Sequence, residues 1–165
     1  MPSAKKDQDI VVQIANNFAG IKAYLPKVKK LAKAVCNRFN LSKATVSIVI
    51  VDDAQIRKLN SKFLKRKSTT DCLSFDLSDD KMTRSPKLFE LVVNGEMAVR
   101  EANLRGHSSE AELALYIAHG LLHNFGFDDS APGKARKMHN MEDEILQQLG
   151  YGLVYNKSER TLNDE

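Results

Sequence analysis

Leu113-Ala114-Leu115-Tyr116-Ile117-Ala118-His119-Gly120-Leu121-Leu122-His123 is the run whose reading decides the fold. It is apolar almost all round a helical wheel, and such a helix belongs at the centre of a domain rather than on its surface. Ser109 with Glu112 three residues later reads as a capping box at its start. Gly126 marks its end. His119 and His123 are four residues apart, about 40° apart on the wheel and one turn apart along the axis, so they share a face.

Working outward, Ile10-Val11-Val12-Gln13-Ile14 reads as a strand and Thr45 to Val51, rich in β-branched residues, as a buried one. Between them a helix runs from near Pro26 to Phe39, with Val28, Leu31, Ala32, Val35 and Phe39 at helical spacing. Asp52 or Asp53 caps a second helix carrying Ile56, Leu59, Phe63 and Leu64. Cys72 to Leu77 alternates as a strand does. Phe89 to Val99 admits two readings, a hairpin turning at Asn94-Gly95 or one strand bulged at Gly95. A last helix spans about Lys134 to Leu149, ending at Gly150.

The 165 residues are expected to form a single domain, with residues 1–8 and 158–165 frayed. Hydrophobic residues at 42% and charged residues at 28% exclude disordered and fibrous classes. No apolar run approaches the ~18 residues of a membrane span. The lysines after Met1 precede no apolar core, which argues against a secretory signal. Cys36 and Cys72 have no disulfide-framework or metal-pair spacing, consistent with a reducing compartment. Charge is divided: residues 1–70 carry 15 Lys+Arg against 4 Asp+Glu, and residues 71–165 carry 10 against 17. Such asymmetry points to a basic face suited to a polyanion such as RNA. The cluster Lys22, Lys27, Lys29, Lys30 and Lys33 also fits the solvated side of an amphipathic helix.

Two imidazoles one turn apart can take a metal ion, and zinc needs at least a third protein ligand. Gly126 lets the chain turn back, and Asp128 and Asp129 follow; with Asp129 the pattern is His-x3-His-x5-Asp. A bare His-x3-His also fits a pair of satisfied core histidines, although burying two of them unpaired among Leu, Ile and Ala is costly. In His-Glu-x-x-His proteases the glutamate after the first histidine is the general base; here that residue is Gly120, which disfavours a metalloprotease. His139 reads as a helix-packing or exposed histidine, His107 as a loop residue, and Met138 and Met141 as core. Ser130 has no partners spaced as a hydrolase triad.

His119-Gly-Leu-Leu-His123-Asn-Phe-Gly-Phe-Asp128-Asp129 resembles the His-Gly-x-Leu-His-x-x-Gly-Tyr-Asp-His pattern of the YbeY family, single-strand-specific endoribonucleases and ribosomal RNA maturation factors. Thr70-Asp71-Cys72-Leu73-Ser74-Phe75 resembles that family's Thr-Asp-Val-Leu-Ser-Phe. Val51-Asp52-Asp53 with Ile56 and Leu59-Asn60, and Asn94-Gly95-Glu96-Met97, resemble further segments in the right order. The resemblance runs from Ile10 to Gly150. It implies an α+β domain with a mixed sheet of about four strands covered by helices around a central metal-binding helix.

The resemblance also implies metal-dependent cleavage of single-stranded RNA in the cytoplasm. The expected partners are ribosomal RNA and the ribosomal subunit or its assembly proteins. His119, His123 and Asp129 would hold one zinc ion per chain, with manganese or another divalent ion as the alternative. Asp129 stands where the family has histidine, which lowers the formal site charge by one and gives a weaker Lewis acid. Leu64 stands where the family carries a functional arginine, leaving the adjacent Lys65 and Arg66 as phosphate contacts. Gly95-Glu96 replaces Gly-Asp. Asp71 and Ser74 are candidates to line the site, and Asp128 is a candidate general base. Asp129 and Leu64 keep open a non-catalytic ribosome-assembly factor with a structural metal.

Overall fold

A computed structural model describes residues 9–64, 69–79, 86–152 and 154–155. The described chain forms β1 (Ile10–Asn16), α1 (Leu25–Arg38), β2 (Ala44–Val51), α2 (Asp53–Leu64), β3 (Cys72–Asp76), β4 (Lys87–Asn94), α3 (Gly95–Arg105), α4 (Ser109–Asn124) and α5 (Pro132–Gln148). The strands make one four-stranded sheet in the order β1-β2-β4-β3. β1, β2 and β4 run parallel, and β3 closes the edge antiparallel to β4. The α+β class and the mixed four-stranded sheet are as expected. β2 and β4 are the central strands, which accounts for their nearly continuous apolar sequences.

α4 is the hub. Eleven of its sixteen residues are buried, and it packs against β3, β4, α1, α3 and α5. α1 starts with proline in its first turn and buries Val28, Leu31, Ala32, Val35 and Cys36. On α2 only Ile56 and Asn60 are buried; Phe63 and Leu64 are exposed, Phe63 meeting the Phe75 ring edge-on. Met138 is fully buried and Met141 packs on the core, as expected. Both cysteines are free. Among the described residues no helix is long and apolar enough to cross a membrane. Residues 1–8 and 158–165 lie outside the described residues.

Three local readings are corrected. Asn94-Gly95 is neither a hairpin turn nor a strand bulge: β4 ends at Asn94 and α3 begins at Gly95. Asn94 is the N-cap, its side chain accepting a hydrogen bond from the Met97 N–H. Gly95 is required by crowding, since a Cβ there would lie 2.7 Å from Ile50 Cγ2 and 3.0 Å from Phe18 Cδ2. Asn-Gly serves a helix start here because the chain after it packs on α4. The cap of α4 is Ser108 rather than Ser109, with its Oγ accepting from the Ala111 N–H. That shift of one residue frees Glu112 from capping and turns it, fully buried, toward His107.

Asp53, at the start of α2, is tied to α3. Its carboxylate accepts from Asn94 Nδ2 at 2.7 Å and from Arg100 Nη1 at 3.0 Å, and its backbone N–H donates to Glu96 at 3.0 Å. The hydrogen bond from Arg100 is the main cause holding the Asp53 carboxyl below its usual range. A depressed carboxyl contributes stability that is present above its unfolded-state pKa of about 3.9 and is lost as pH falls through the folded value. Arg100→Leu is therefore expected to lower urea stability at pH 7, with the difference from the parent closing by about pH 2. A difference unchanged across that range would mean that Arg100 acts through packing alone.

Candidate metal centre

The last turn of α4 and the loop after it bring His119, His123 and Asp129 together. α4 ends at Asn124 with Phe125 as its C-cap, and Gly126 turns the chain with a φ of 93°. That turn returns Asp129 toward the helix face carrying both histidines. Asp129 Oδ2 lies 3.5 Å from His119 Nε2 and 3.7 Å from His123 Nε2, and the two Nε2 atoms are 3.1 Å apart.

These separations suit a metal. Ligand atoms about 2.0–2.1 Å from a tetrahedral ion stand about 3.3–3.4 Å from one another. The tautomers suit it as well. His119 Nδ1 lies 2.8 Å from Glu142 Oε2, and His123 Nδ1 lies 3.0 Å from the Phe127 carbonyl. With both Nδ1 atoms donating to oxygen, both Nε2 lone pairs turn toward Asp129. Two lone pairs that close need a proton or a cation between them. The side chains are graded in exposure, 15% for His119, 32% for His123 and 41% for Asp129, so the cluster opens to solvent on the Asp129 side.

Glu142, on α5, was not singled out by the sequence. Its side chain is 1% exposed and holds two imidazoles, His119 at Oε2 and His139 at Oε1, the latter at 2.6 Å. Burial alone would push Glu142 up, but the hydrogen bonds from the two histidines override it and hold the carboxyl below its usual range. Burial likewise disfavours the charged His119 ring, yet the Glu142 hydrogen bond and the charges of Glu142, Asp71 and Asp129 raise its pKa. His119, His139 and Glu142 also lie close enough to be ligands of one ion. Both Glu142 oxygens are already bound to Nδ1 atoms, so Glu142 is a bridge that aims His119. His139 is thus a helix-packing residue, its ring stacked 3.6 Å from that of Tyr155.

The other expected residues divide. Asp71 lines a cavity of about 360 Å³ that includes His119, His139 and Glu142 in its wall. Asn94 holds that segment in place, donating from its backbone to the Asp71 carbonyl at 2.8 Å and from Nδ2 to the Thr70 carbonyl. Ser74 pairs with Leu91 inside the sheet and is not part of that wall. Asp128 accepts from the N–H and Oγ of Ser130 at 2.9 and 2.7 Å and pairs with Lys134. The Ser130 hydrogen bonds hold its carboxyl low. His107 is in a loop as expected, but its ring is buried against Glu112. Lys65 and Arg66 lie outside the described residues. Gly120 faces the sheet, where a Cβ would meet Cys72 Sγ at 2.7 Å and Leu91 Cδ2 at 3.0 Å.

The family model described as Endoribonuclease YbeY matches residues 12–150. The Myxococcus xanthus protein named Endoribonuclease YbeY is 38% identical over 121 residues, covering 72% of this chain and 41% of that protein. The Aquifex aeolicus protein of the same name is 31% identical over 128 residues, covering 77% and 85%. The chain thus spans less than half the length of the Myxococcus relative and most of the Aquifex one. A solution structure of a Thermotoga maritima protein superposes with a TM-score of 0.54 at 19% identity, covering 84% of this chain and 91% of that one, a likeness of fold.

Proposed function

Since the chain belongs to the Endoribonuclease YbeY family, we propose that it is a metal-dependent endoribonuclease that cuts single-stranded RNA in ribosomal RNA maturation in the cytoplasm. Residues 1–165 are taken as one domain, and the proposed partners are ribosomal RNA and the ribosomal subunit or its assembly proteins. The observation that carries the reading is the convergence of His119 Nε2, His123 Nε2 and Asp129 Oδ2 with both Nδ1 atoms already spent. One divalent ion per chain, zinc or else manganese, supplies Lewis-acid polarisation of a phosphodiester oxygen when bound. The protein supplies the rest. Glu142 and the Phe127 carbonyl keep each imidazole in the Nε2-accepting tautomer. α4 holds the pair rigid, and Asp129 contributes a negative charge from the open side. Structural zinc sites are closed; the exposure of Asp129 and His123 favours a working site over the assembly-factor alternative.

The direct test is elemental analysis with an RNA assay. About one ion per chain and chelator-sensitive cleavage of single-stranded RNA, with casein untouched, are expected. His123→Ala should lose the ion, because two remaining ligands hold it poorly. Full occupancy in that variant would refute the three-ligand assignment. Asp129→His should keep the ion and match or exceed the parent's cleavage, while Asp129→Asn should lose both.

Lys65 and Arg66 are proposed as phosphate contacts beside the Thr70-Asp71 segment. Lys65→Glu with Arg66→Glu should weaken RNA binding and flatten its salt dependence without changing metal content. The same reversals at Lys29 and Lys30, on α1, should matter less. Equal losses from both pairs would indicate a diffuse electrostatic surface instead.

A further inference from the structure

We infer that His139 is a positioning residue of the metal centre: it fixes the Glu142 carboxylate and, through it, the nitrogen that His119 presents to the ion. The inference rests on the metal reading of His119, His123 and Asp129, and it gives His139 a task beyond packing α5 against α4.

His139 and Glu142 are neighbours on one face of α5, a turn apart. An ionised carboxylate only accepts hydrogen bonds, so both imidazoles donate to it from Nδ1. His139 donates to Oε1 at 2.6 Å and His119 to Oε2 at 2.8 Å. The torsion that turns a glutamate carboxylate is soft and broad. One hydrogen bond at Oε2 therefore leaves the plane of the group adjustable, and the second, at Oε1, fixes it. With Oε1 taken, Oε2 is committed to His119, whose proton stays on Nδ1 and whose lone pair stays on Nε2. The two imidazole planes differ by 12°, in keeping with rings held at the two oxygens of one planar group. His139 is itself held from its other side. Its ring lies flat on Tyr155, with centroids 3.6 Å apart and planes 7° apart. Tyr155 is tied back to α5, because the N–H groups of Val154 and Tyr155 both donate to Asp143 Oδ1, at 3.2 and 3.1 Å. The chain after α5 thus fixes the His139 ring, that ring fixes Glu142, and Glu142 aims His119. A residue that only filled this space would need its ring and not its Nδ1 donor.

The test separates ring from donor. His139→Phe keeps a ring for Tyr155 and removes the donor. His139→Asn gives up the ring and keeps a donor, since an asparagine Nδ2 stands near the place of a histidine Nδ1. Zinc affinity is read by competition with a fluorescent chelator, on variants folded by circular dichroism. His139→Phe is expected to bind zinc about tenfold more weakly than the parent, the low end of the range for groups behind a ligating histidine. His139→Asn should stay near the parent. The reverse order, equal losses from both, or no loss from His139→Phe would overturn the inference. If phenylalanine prevents folding, His139→Ala, which adds no bulk, takes its place with the same expected loss. Nitrogen NMR shifts of the neutral His119 ring in metal-free protein keep this apart from the metal reading. A parent that binds no zinc refutes that reading, and the His119 ring still decides the role of His139. An Nδ1–H tautomer in the parent and in His139→Asn that becomes mixed in His139→Phe upholds it, and a single tautomer throughout refutes it. Zinc bound equally by parent and variants refutes the role of His139 alone.

Discussion

Gly120→Glu is expected to abolish folding at 25 °C, although it would complete the His-Glu-x-x-His pattern of a zinc protease. The position looks toward the sheet, not the metal ligands: a Cβ would sit 2.7 Å from Cys72 Sγ and 3.0 Å from Leu91 Cδ2. Gly120 is buried in the middle of α4, where the helix crosses β3 and β4. Overpacking of such a contact costs about 1–3 kcal/mol. A carboxylate placed there without a partner adds several more. Together these consume most of the ~5–15 kcal/mol by which a domain is stable. Gly120→Ala isolates the steric part. It should fold, with a melting temperature lower by about 2–12 °C at ~2–4 °C per kcal/mol. Scanning calorimetry of the two variants checks both statements. A Gly120→Glu protein that melts with the parent would show that the helix does not approach the sheet this closely. The missing general base is thus a consequence of packing. Glycine lets α4 lie against the sheet, and that placement holds His119 and His123 at their depth.

The central helix, the flanking strands and the convergence of His119, His123 and Asp129 could be read from the chain because each rests on local signals. β-branched runs, helical spacing and a histidine pair one turn apart do not need tertiary knowledge. Two kinds of feature escaped. Asn94-Gly95 favours a hairpin when only its neighbours in sequence are considered. It becomes a helix start because Ile50, Phe18 and Ile21 crowd Gly95 and because Asn94 is needed to tie Asp53 and Thr70 together. Those partners are 24 to 41 residues away, beyond any local pattern. Glu142 escaped for a different reason. It lies in line with Met138, Ile145 and Leu146 on the buried stripe of α5, and that was the available signal. A carboxylate on an apolar stripe must find a donor, and the histidines of the motif were unpartnered at Nδ1. Matching the two lists would have paired Glu142 with His119 before any fold was known. Asp128 differs in that its partner is local: Ser130, two residues on, donates both its N–H and its Oγ to that carboxylate.

Replacing Glu142 should have the second-largest effect, one divided between stability and metal affinity. Glu142→Leu leaves the Nδ1 donors of His119 and His139 buried without an acceptor, at a cost of about 3–5 kcal/mol when one of the rings is charged. Glu142→Gln keeps the shape and one acceptor oxygen, so it should cost less. Its amide nitrogen must then face one imidazole, which forces that ring to the other tautomer. If the ring is His119, the proton moves to Nε2 and blocks the ligand atom. Either substitution should therefore weaken metal binding by about 10–100-fold, the range for groups that orient a ligating histidine. Competition against a fluorescent chelator reads this directly. The stability part has its own pH signature in metal-stripped protein. Glu142 is held below its usual pKa, so its contribution is present above about pH 4.3 and is lost as pH falls through the lower folded value. His119 is raised, so its contribution is complete below about pH 6.5 and is lost as pH rises through the higher folded value. The advantage of the parent over Glu142→Gln should accordingly be greatest between about pH 4.5 and 6.5 and shrink on both sides. Urea unfolding at three pH values tests the sign. A difference that is flat from acid to alkali would mean that Glu142 fills space beside His119 without carrying charge. In that case the metal affinity of Glu142→Gln should match the parent's, so the two measurements must agree for the bridge to stand.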